Sequence, residues 1–246
     1  MESHLKTIVT IAVRMKSKRL PKKAMVLLKN KPLLHHLVER VREAKQPHHV
    51  VVCTSCLDED RILVEEAKKC GVPALAGNPE NVFERFLDAA QQLNADHVVR
   101  VTGDNPLTDP VVMDQLIQHH LASGADYTTM DGLPLGVASE VIAVTALKKA
   151  QNDLKDKARS EYMTFILRDP SKYHVQILEA DEKIRRPKYR LTVDTPADLE
   201  LMRFIFNGLC RPDTMYSLEE VVRFLDQHPE KASLNQSIEQ RSTFDA

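Results

Sequence analysis

Residues 8–23 read IVTIAVRMKSKRLPKK, in which an apolar run at 8–13 passes directly into six cations within ten residues. A short apolar run bounded by polar sequence is typical of a buried strand. In open α/β sheets, ligands bind beyond the carboxyl ends of the strands. Arginine and lysine fixed around one point can hold a polyphosphate. Residues 14–23, the basic loop, therefore predict a phosphate site, although their charge alone is equally typical of a solvated loop.

The sequence that follows alternates strand and helix patterns. Predicted strands lie at 8–13, 50–54, 72–76 and 97–101, and predicted helices at 33–44, 59–70, 80–93 and 110–122. Helices of about a dozen residues between buried strands are typical of βαβ crossovers, so we expect a mostly parallel sheet covered on both faces.

The pattern changes after residue 124. Strands are predicted at 126–130, 139–144 and 173–179, with a return to the main sheet at 189–193. Helices are predicted at 146–152, 159–168, 196–206 and 217–227. Residues 125–185 are expected to form a small β-containing insertion or an oligomer interface within a single domain spanning 1–246. The polar tail at 235–246 is expected to be loose.

Composition excludes several functional classes. The chain has 246 residues with 34 Lys and Arg against 35 Asp and Glu, a net charge of −1. A general nucleic-acid binder is usually more basic, so nucleic acid is not an expected partner. No run approaches the roughly 20 apolar residues that cross a bilayer, so no membrane association is expected. Four cysteines do not make a secreted disulfide framework, and we expect a cytoplasmic protein.

Two further motifs follow predicted strands. Asp104 lies in TGDNPL at 102–107, and Asp194 lies in RLTVDTP at 190–196. A carboxylate beside a phosphate site is suited to Mg²⁺, which takes oxygen ligands and bridges to phosphates. Taken alone, Asp104 is more typical of an ordinary turn, and the alternative for Asp194 is a helix-capping or turn carboxylate. With the basic loop, however, they form a set suited to nucleotidyl or phosphoryl transfer. The chain contains no Walker or dinucleotide glycine motif, which disfavours kinases, P-loop ATPases and Rossmann dehydrogenases.

At this point the motifs resemble those of sugar cytidylyltransferases, which make CMP-activated acidic sugars. Residues 14–23 are similar to that family's R-x-x-S-x-R-L-P-x-K signature. The order of motifs most resembles the branch named for spore-coat polysaccharide biosynthesis. After Thr54 come GNPENVFER at 77–85, RVTGDNPLTDP at 100–110 and RLTVDTPADL at 190–199. The likeness runs from about residue 7 to residue 206.

The resemblance implies a Rossmann-like three-layer nucleotidyltransferase fold and a role for each matching position. The implied reaction joins CTP to a keto-deoxy sugar acid and releases pyrophosphate with the help of Mg²⁺. A homodimer formed partly through residues 125–185 is also implied. The implied nucleotide-binding residues are Arg14, Ser17, Arg19, Lys23, Thr54 and Arg85, and the implied metal ligands are Asp104 and Asp194. Arg14, Arg19, Lys23 and Asp104 are the implied catalytic residues, and Glu140 and Glu161 are implied on the sugar side. The alternative for the two glutamates is a surface carboxylate on a strand and on a helix.

Some positions depart from the family pattern. Lys22 stands where a glycine usually precedes the phosphate-binding lysine, Asn81 replaces an aspartate, Tyr162 replaces a histidine, and Phe165 stands near a common proline. Two alternatives stay open. A metal-dependent glycosyltransferase would usually carry Asp-x-Asp, and no second aspartate lies two residues from Asp104. A non-catalytic nucleotide-binding relative would bind nucleotide without turnover.

Overall fold

A computed structural model describes residues 5–153, 163–209, 211 and 215–239. Its main sheet has seven strands in the order β5-β4-β1-β6-β8-β7-β9, and β2 and β3 form a separate two-stranded ribbon. The strands in the described residues are β1 (Thr7–Ala12), β2 (Leu27–Leu28), β3 (Lys31–Pro32), β4 (His49–Ser55), β5 (Ala74–Gly77), β6 (His97–Thr102), β7 (Tyr127–Asp131), β8 (Glu140–Ala143) and β9 (Val175–Glu179).

Helices cover both faces of this sheet. The α-helices in the described residues are α1 (Leu33–Val41), α2 (Arg61–Lys69), α3 (Val82–Gln92), α4 (Pro110–Ser123), α5 (Val144–Asp153), α6 (Met163–Leu167), α7 (Pro196–Leu209), α8 (Leu218–Asp226) and α9 (Pro229–Ala232). Short 3₁₀ turns occupy Lys23–Met25 and Asp58–Asp60. The predicted three-layer α/β fold is confirmed.

The pairing of the strands separates a parallel half from a mixed half. β5, β4, β1 and β6 are all parallel. β8 runs antiparallel to both β6 and β7, and β9 is parallel to β7. The strands of the 125–185 region therefore extend the main sheet, and the small β insertion outside that sheet is the β2–β3 ribbon, directly after the basic loop.

Strand β1 shows why an unbroken apolar run makes the centre of this sheet. Val9 and Ile11 pack into one core with helices α1, α2 and α4. Ile8 faces the opposite core, where it joins Phe83 and Phe86 of α3. Because both faces of a central parallel strand are covered, alternation of apolar and polar residues is not needed.

Capping residues define several helix boundaries. Asp109 accepts hydrogen bonds from the backbone N–H groups of Val111 and Val112, both at 3.0 Å, and Pro110 opens α4 as predicted. Ser217 forms a capping box at the start of α8. Asn81 caps α3, so this helix begins two residues later than predicted.

The predicted strand at 189–193 is wrong. This segment makes a single isolated bridge between Leu135 and Arg190. Its backbone donors go to two different loops: the Leu191 N–H donates to the Leu135 carbonyl at 2.7 Å, and the Val193 N–H donates to the Asp104 carbonyl at 2.8 Å. A segment shared between two loops cannot form a continuous ladder with one neighbour.

The predicted start of the loose tail also needs correction. Asn235 is fully buried and donates from Nδ2 to the Arg190 carbonyl at 2.9 Å and to Asp198 Oδ1 at 2.8 Å. Residues 240–246 lie outside the described residues, as does the first part of the predicted helix at 159–168. Among the described helices, none is both long and apolar enough to cross a membrane.

Candidate active site

Three chain segments meet at the carboxyl edge of the parallel strands. The basic loop leaves β1, the loop with Gly103 and Asp104 leaves β6, and Asp194 precedes α7. Backbone hydrogen bonds join them: the Gly103 N–H donates to the Ala12 carbonyl at 2.8 Å, and the Val193 N–H donates to the Asp104 carbonyl at 2.8 Å. These two bonds bring side chains that are far apart in sequence to one edge of the sheet.

Gly103 permits this close approach. A Cβ atom added at this position would lie 2.6 Å from Cβ of Val13. That distance is shorter than two carbon atoms can approach, so the β6 loop and the start of the basic loop can lie side by side only with glycine here.

Lys23 lies at the centre of the candidate site. Its Nζ is 2.6 Å from Asp104 Oδ2 and 2.5 Å from Asp194 Oδ1. Arg19 Nη2 approaches Asp194 Oδ2 at 3.0 Å. The structure thus brings together the predicted cations Arg19 and Lys23 and both predicted metal ligands.

The electrostatics of this cluster favour the charged forms of Lys23 and Asp104. Burial lowers the pKa of Lys23, but the attraction and hydrogen bonds of Asp104 and Asp194 outweigh it and raise that pKa above its ordinary value. Burial also acts against ionised Asp104, yet Lys23 and the hydrogen bonds to the carboxylate hold the pKa of Asp104 below its usual range.

A second layer of residues, missed by the sequence analysis, holds Asp194 in place. Asp198 Oδ2 accepts the backbone N–H groups of Asp194 and Thr195, each at 2.9 Å. Arg190 Nε donates to Asp198 Oδ1 at 2.8 Å, and the buried Asn235 donates to the same oxygen. Burial works against the charge of Asp198, while Arg190 and the backbone donors lower its pKa. The matched motif at 190–199 already contained Arg190 and Asp198, but nothing in it distinguished supporting residues from ligands.

The basic loop is closed by a left-handed turn at Lys22. Its φ is 58°, a conformation that glycine adopts without strain and that costs other residues energy. The Lys22 N–H donates to the Met15 carbonyl at 3.1 Å, which closes the loop. The family's usual glycine at this position therefore has a conformational reason, and lysine here keeps the same turn. Ser17 lies inside the loop and accepts the Leu20 N–H at 3.4 Å.

Arg14, Arg85 and Thr54 lie on the β4–β5 side of the loop. Arg14 Nη1 donates to the Pro79 carbonyl at 3.1 Å. Arg85 is 1% exposed, and its Nε and Nη1 atoms have no hydrogen-bond partner in the described residues. The buried Thr54 hydroxyl has none either. Burial, with Arg14 nearby, lowers the pKa of Arg85. Buried donors without partners are uncommon in folded proteins, and they fit a site that a ligand's acceptor atoms complete.

Glu140 belongs to a network on the α3–α5–α6 face of the sheet. Its carboxylate contacts Arg100 Nη1 at 2.6 Å, the Tyr127 hydroxyl at 2.5 Å and the Thr164 hydroxyl at 3.1 Å. Burial and the neighbouring carboxylate raise the pKa of Tyr127. Three protein partners and a largely buried side chain show that Glu140 is not the surface carboxylate of the alternative, and its place on the sugar side stays a prediction. Glu161 and Tyr162 lie outside the described residues.

The donor set at Lys23 fits a divalent cation. A single ammonium already touches oxygens of both Asp104 and Asp194, so one cation can reach the two carboxylates together. No group of three or more His, Cys, Asp or Glu side chains in the described residues could hold a metal ion. Mg²⁺ commonly binds through one or two carboxylates with the remaining ligands from substrate phosphates and water. Two aspartates beside a phosphate site satisfy that requirement.

Comparison with known proteins gives the context of this site. Residues 8–230 match the family model described as Cytidylyltransferase. The chain is 35% identical over 230 residues to the spore coat polysaccharide biosynthesis protein SpsF of Bacillus subtilis, covering 91% of this chain and 95% of that protein. It is 30% identical over 122 residues to a 3-deoxy-manno-octulosonate cytidylyltransferase of Chloroherpeton thalassium, covering 49% and 48% of the two chains. A solved cytidylyltransferase from Leptospira borgpetersenii superposes with a TM-score of 0.87 at 27% identity, covering 96% and 100%.

Proposed function

Because the chain belongs to the cytidylyltransferase family, we propose that this nucleotidyltransferase joins CTP to a keto-deoxy sugar acid and releases pyrophosphate. The observation that carries the proposal is the contact of Lys23 with both Asp104 and Asp194 at the end of the basic loop. One cluster then offers cations for the phosphates and carboxylates for a metal. The acceptor class is supported by the motif order and by the octulosonate-activating relative.

The nucleotide side of the site uses the basic loop after β1, the end of β4 and the first turn of α3. Arg14, Arg19 and Lys23 attract the triphosphate, and Arg guanidinium groups can hold phosphate oxygens with two N–H donors. Arg85 and Thr54 provide the unpartnered buried polar atoms described above. We assign these two side chains to nucleotide contacts because a ligand acceptor would remove the cost of leaving them unpaired.

Asp104 and Asp194 are the residues that would hold Mg²⁺. The bound ion would neutralise the negative charge that collects on the phosphates during transfer. With a dication held by these carboxylates, the Lys23 ammonium would be free to turn toward the leaving pyrophosphate. Asp198, Arg190 and Asn235 keep Asp194 in the orientation that this arrangement needs.

The transfer itself needs positioning and charge stabilisation more than covalent chemistry. The anomeric hydroxyl of the sugar acid attacks the α-phosphorus and forms a new P–O bond, and its proton passes to solvent water. The bond from the α-phosphorus to the bridging oxygen breaks, and pyrophosphate leaves with that electron pair. The cationic side chains stabilise the leaving group, so no covalent enzyme intermediate is required. We further propose that the protein acts as a homodimer and that residues 125–185 contribute to the interface.

The first test is titration calorimetry with CTP, UTP, GTP and ATP in the presence of Mg²⁺. We expect selective binding of CTP, weakened about tenfold or more in Arg19→Ala by the loss of a charged contact. Arg61→Ala is a matched control, because Arg61 is an exposed arginine on α2 that pairs only with Asp58 in the described residues. Equal or absent binding of all four nucleotides would contradict the proposal.

Turnover is tested with 3-deoxy-manno-octulosonate and related sugar acids. We expect pyrophosphate release with at least one of them, and we expect Asp104→Asn to reduce it by about 10²-fold or more while the protein stays folded. Release of free nucleoside diphosphate from a nucleotide-sugar would instead indicate a glycosyltransferase. Nucleotide binding without turnover across the sugars would favour the non-catalytic alternative.

A further inference from the structure

Asp60 is a buried carboxylate that lies at a helix N-terminus but does not cap the helix with its side chain. It immediately precedes α2, where an aspartate commonly caps the first free backbone N–H groups of the helix. Its side chain makes no such bond, and the residue is only 1% exposed. The carboxylate points instead toward the basic loop.

Two hydrogen bonds join Asp60 to the nucleotide side of the site. Oδ1 accepts the Met15 backbone N–H at 2.6 Å, and Oδ2 accepts the hydroxyl of Ser55 at the end of β4. Met15 is also the residue whose carbonyl accepts the Lys22 N–H and closes the loop. Asp60 therefore holds the backbone of Met15, the residue that also accepts the hydrogen bond closing the basic loop.

The charge of Asp60 has no direct counter-ion. In the part of the chain that the structure describes, no lysine, arginine or histidine lies within ion-pair distance of its carboxylate, and Arg85 acts on it only from farther away. Burying a carboxylate is costly unless it accepts strong hydrogen bonds. The Met15 N–H and the Ser55 hydroxyl supply those bonds, so the buried carboxylate links the basic loop to the end of β4.

We propose that Asp60 is a positioning residue that fixes Met15 and thereby directs Arg14, Arg19 and Lys23 toward the triphosphate. The expected effect of Asp60 on nucleotide affinity rests on the proposed function. Its direct effect, the order of the basic loop, does not depend on any ligand. In this proposal Asp60 acts on the basic loop through the Met15 backbone N–H, and its second oxygen is held by the Ser55 hydroxyl.

The experiment compares Asp60→Ala with Asp60→Asn. The amide oxygen of asparagine can still accept the Met15 N–H, whereas alanine cannot. We expect amide hydrogen exchange across residues 14–23 to speed up about tenfold or more in Asp60→Ala and to stay within about threefold of wild type in Asp60→Asn, because an unmade buried hydrogen bond leaves the loop untethered. The calorimetric Kd for CTP with Mg²⁺ should follow the same order.

Asp114→Ala is the matched control. Asp114 also uses its carboxylate to accept backbone N–H groups, those of Lys45 and Gln46 at 2.9 Å, but at the amino end of β4. This variant should leave both the exchange of the basic loop and the Kd for CTP unchanged. If Asp60→Ala matches it in either measurement, the positioning role is overturned.

The two proposals can fail separately. If wild-type protein binds no CTP, the proposed function fails, and the exchange data alone decide whether Asp60 orders the loop. If CTP binds but Asp60→Asn loses as much affinity as Asp60→Ala, charge rather than the Met15 hydrogen bond is responsible, and the positioning role is again overturned.

Discussion

Lys23 contacts the two carboxylates at which we propose that a metal ion binds. Its ammonium contacts the two carboxylates that we assign to Mg²⁺, so the two cations compete for the same oxygens. Without nucleotide, the ammonium already neutralises part of the charge that would attract the ion. With nucleotide, phosphate oxygens offer Lys23 another partner. Metal and nucleotide should consequently bind with positive coupling.

Replacing Lys23 separates these two effects. In Lys23→Met we expect Mn²⁺ alone to bind about five- to tenfold tighter, because two carboxylates lose their competing cation. CTP with the metal should bind about tenfold more weakly, because one phosphate contact is lost. Electron paramagnetic resonance of free Mn²⁺ measures the first effect and calorimetry the second.

Lys31→Met is the control for this prediction, since Lys31 pairs with Glu39 on the surface. It should change neither measurement. Mn²⁺ affinity that is unchanged or lower in Lys23→Met would show that Lys23 does not compete with the ion.

At the residue scale, the charged side chains that meet in the candidate site could be predicted from the sequence. The residues that hold them in place could not. Arg19, Lys23, Asp104 and Asp194 could be predicted because each follows or precedes a recognisable element. Asn235 could not, because its polar neighbours are typical of a tail and its burial depends on a contact with Arg190 and Asp198 that no local pattern reveals.

At the scale of elements, the junction between the loop after β6 and the basic loop depends on a glycine, which has no side chain to keep the two loops apart. Gly103 lies against Val13, and the structure has no room for a methyl group between them. The strands and caps on either side could be predicted from periodicity. This contact could not, because it forms between two loops.

Gly103→Ala should therefore lower the free energy of unfolding by about 1–3 kcal/mol, the usual cost of overpacking. Urea denaturation measures it. Combining Gly103→Ala with Val13→Ala should recover part of the loss, because the added methyl group then finds space.

Gly124→Ala provides the comparison, since Gly124 has a φ of 61° and no atom within 4 Å of an added Cβ. Its cost should be about 1 kcal/mol from backbone strain alone, and Val13→Ala should not relieve it. If Gly103→Ala proves neutral, the close packing of this junction is contradicted.

At the scale of the whole molecule, a histidine pair lies at the amino end of β6, away from the candidate active site. His97 Nδ1 is 3.0 Å from His120 Nε2, and His120 Nδ1 is 2.8 Å from the Thr128 hydroxyl. His120 is fully buried, and burial, with other histidines nearby, lowers its pKa to about 3. Burial lowers the pKa of His97 as well. The pair joins β6, α4 and β7 in its neutral form.

Acid should weaken the fold through this pair. The unfolded chain takes up a proton near pH 6.5, but folded His120 does not, so its contribution to stability is present above about pH 6.5 and is lost as the pH falls below it. Between pH 7.5 and pH 5.5 the loss from His120 should be about 1 kcal/mol. Urea denaturation at both pH values measures it.

His120→Gln should be less stable at neutral pH but should lose about 1 kcal/mol less on acidification. His49→Gln, at an exposed position on β4, should keep the acid sensitivity of wild type. Equal acid sensitivity in His120→Gln and wild type would show that another group is responsible.

The parallel half of the sheet was predictable because it repeats a local strand–helix pattern. Each buried strand, each helix that begins with proline and each capping residue can be recognised from its own short stretch of sequence. The segment at 189–193 was not predictable in this way. It has the apolar alternation of a strand, yet it shares its donors between Leu135 and Asp104. Only the three-dimensional arrangement determines which neighbour such a segment joins.

The contact between Lys23 and Asp194 joins residues 171 positions apart. During synthesis the basic loop emerges from the ribosome long before Asp194 is translated, and Asn235 follows later still. A truncated translation product that stops between residues 199 and 234 keeps all the predicted nucleotide-binding cations, together with Asp194 and Asp198. It lacks the amide that helps to hold Asp198 beneath Asp194, so such a product would carry an intact cationic loop beside an unsupported carboxylate.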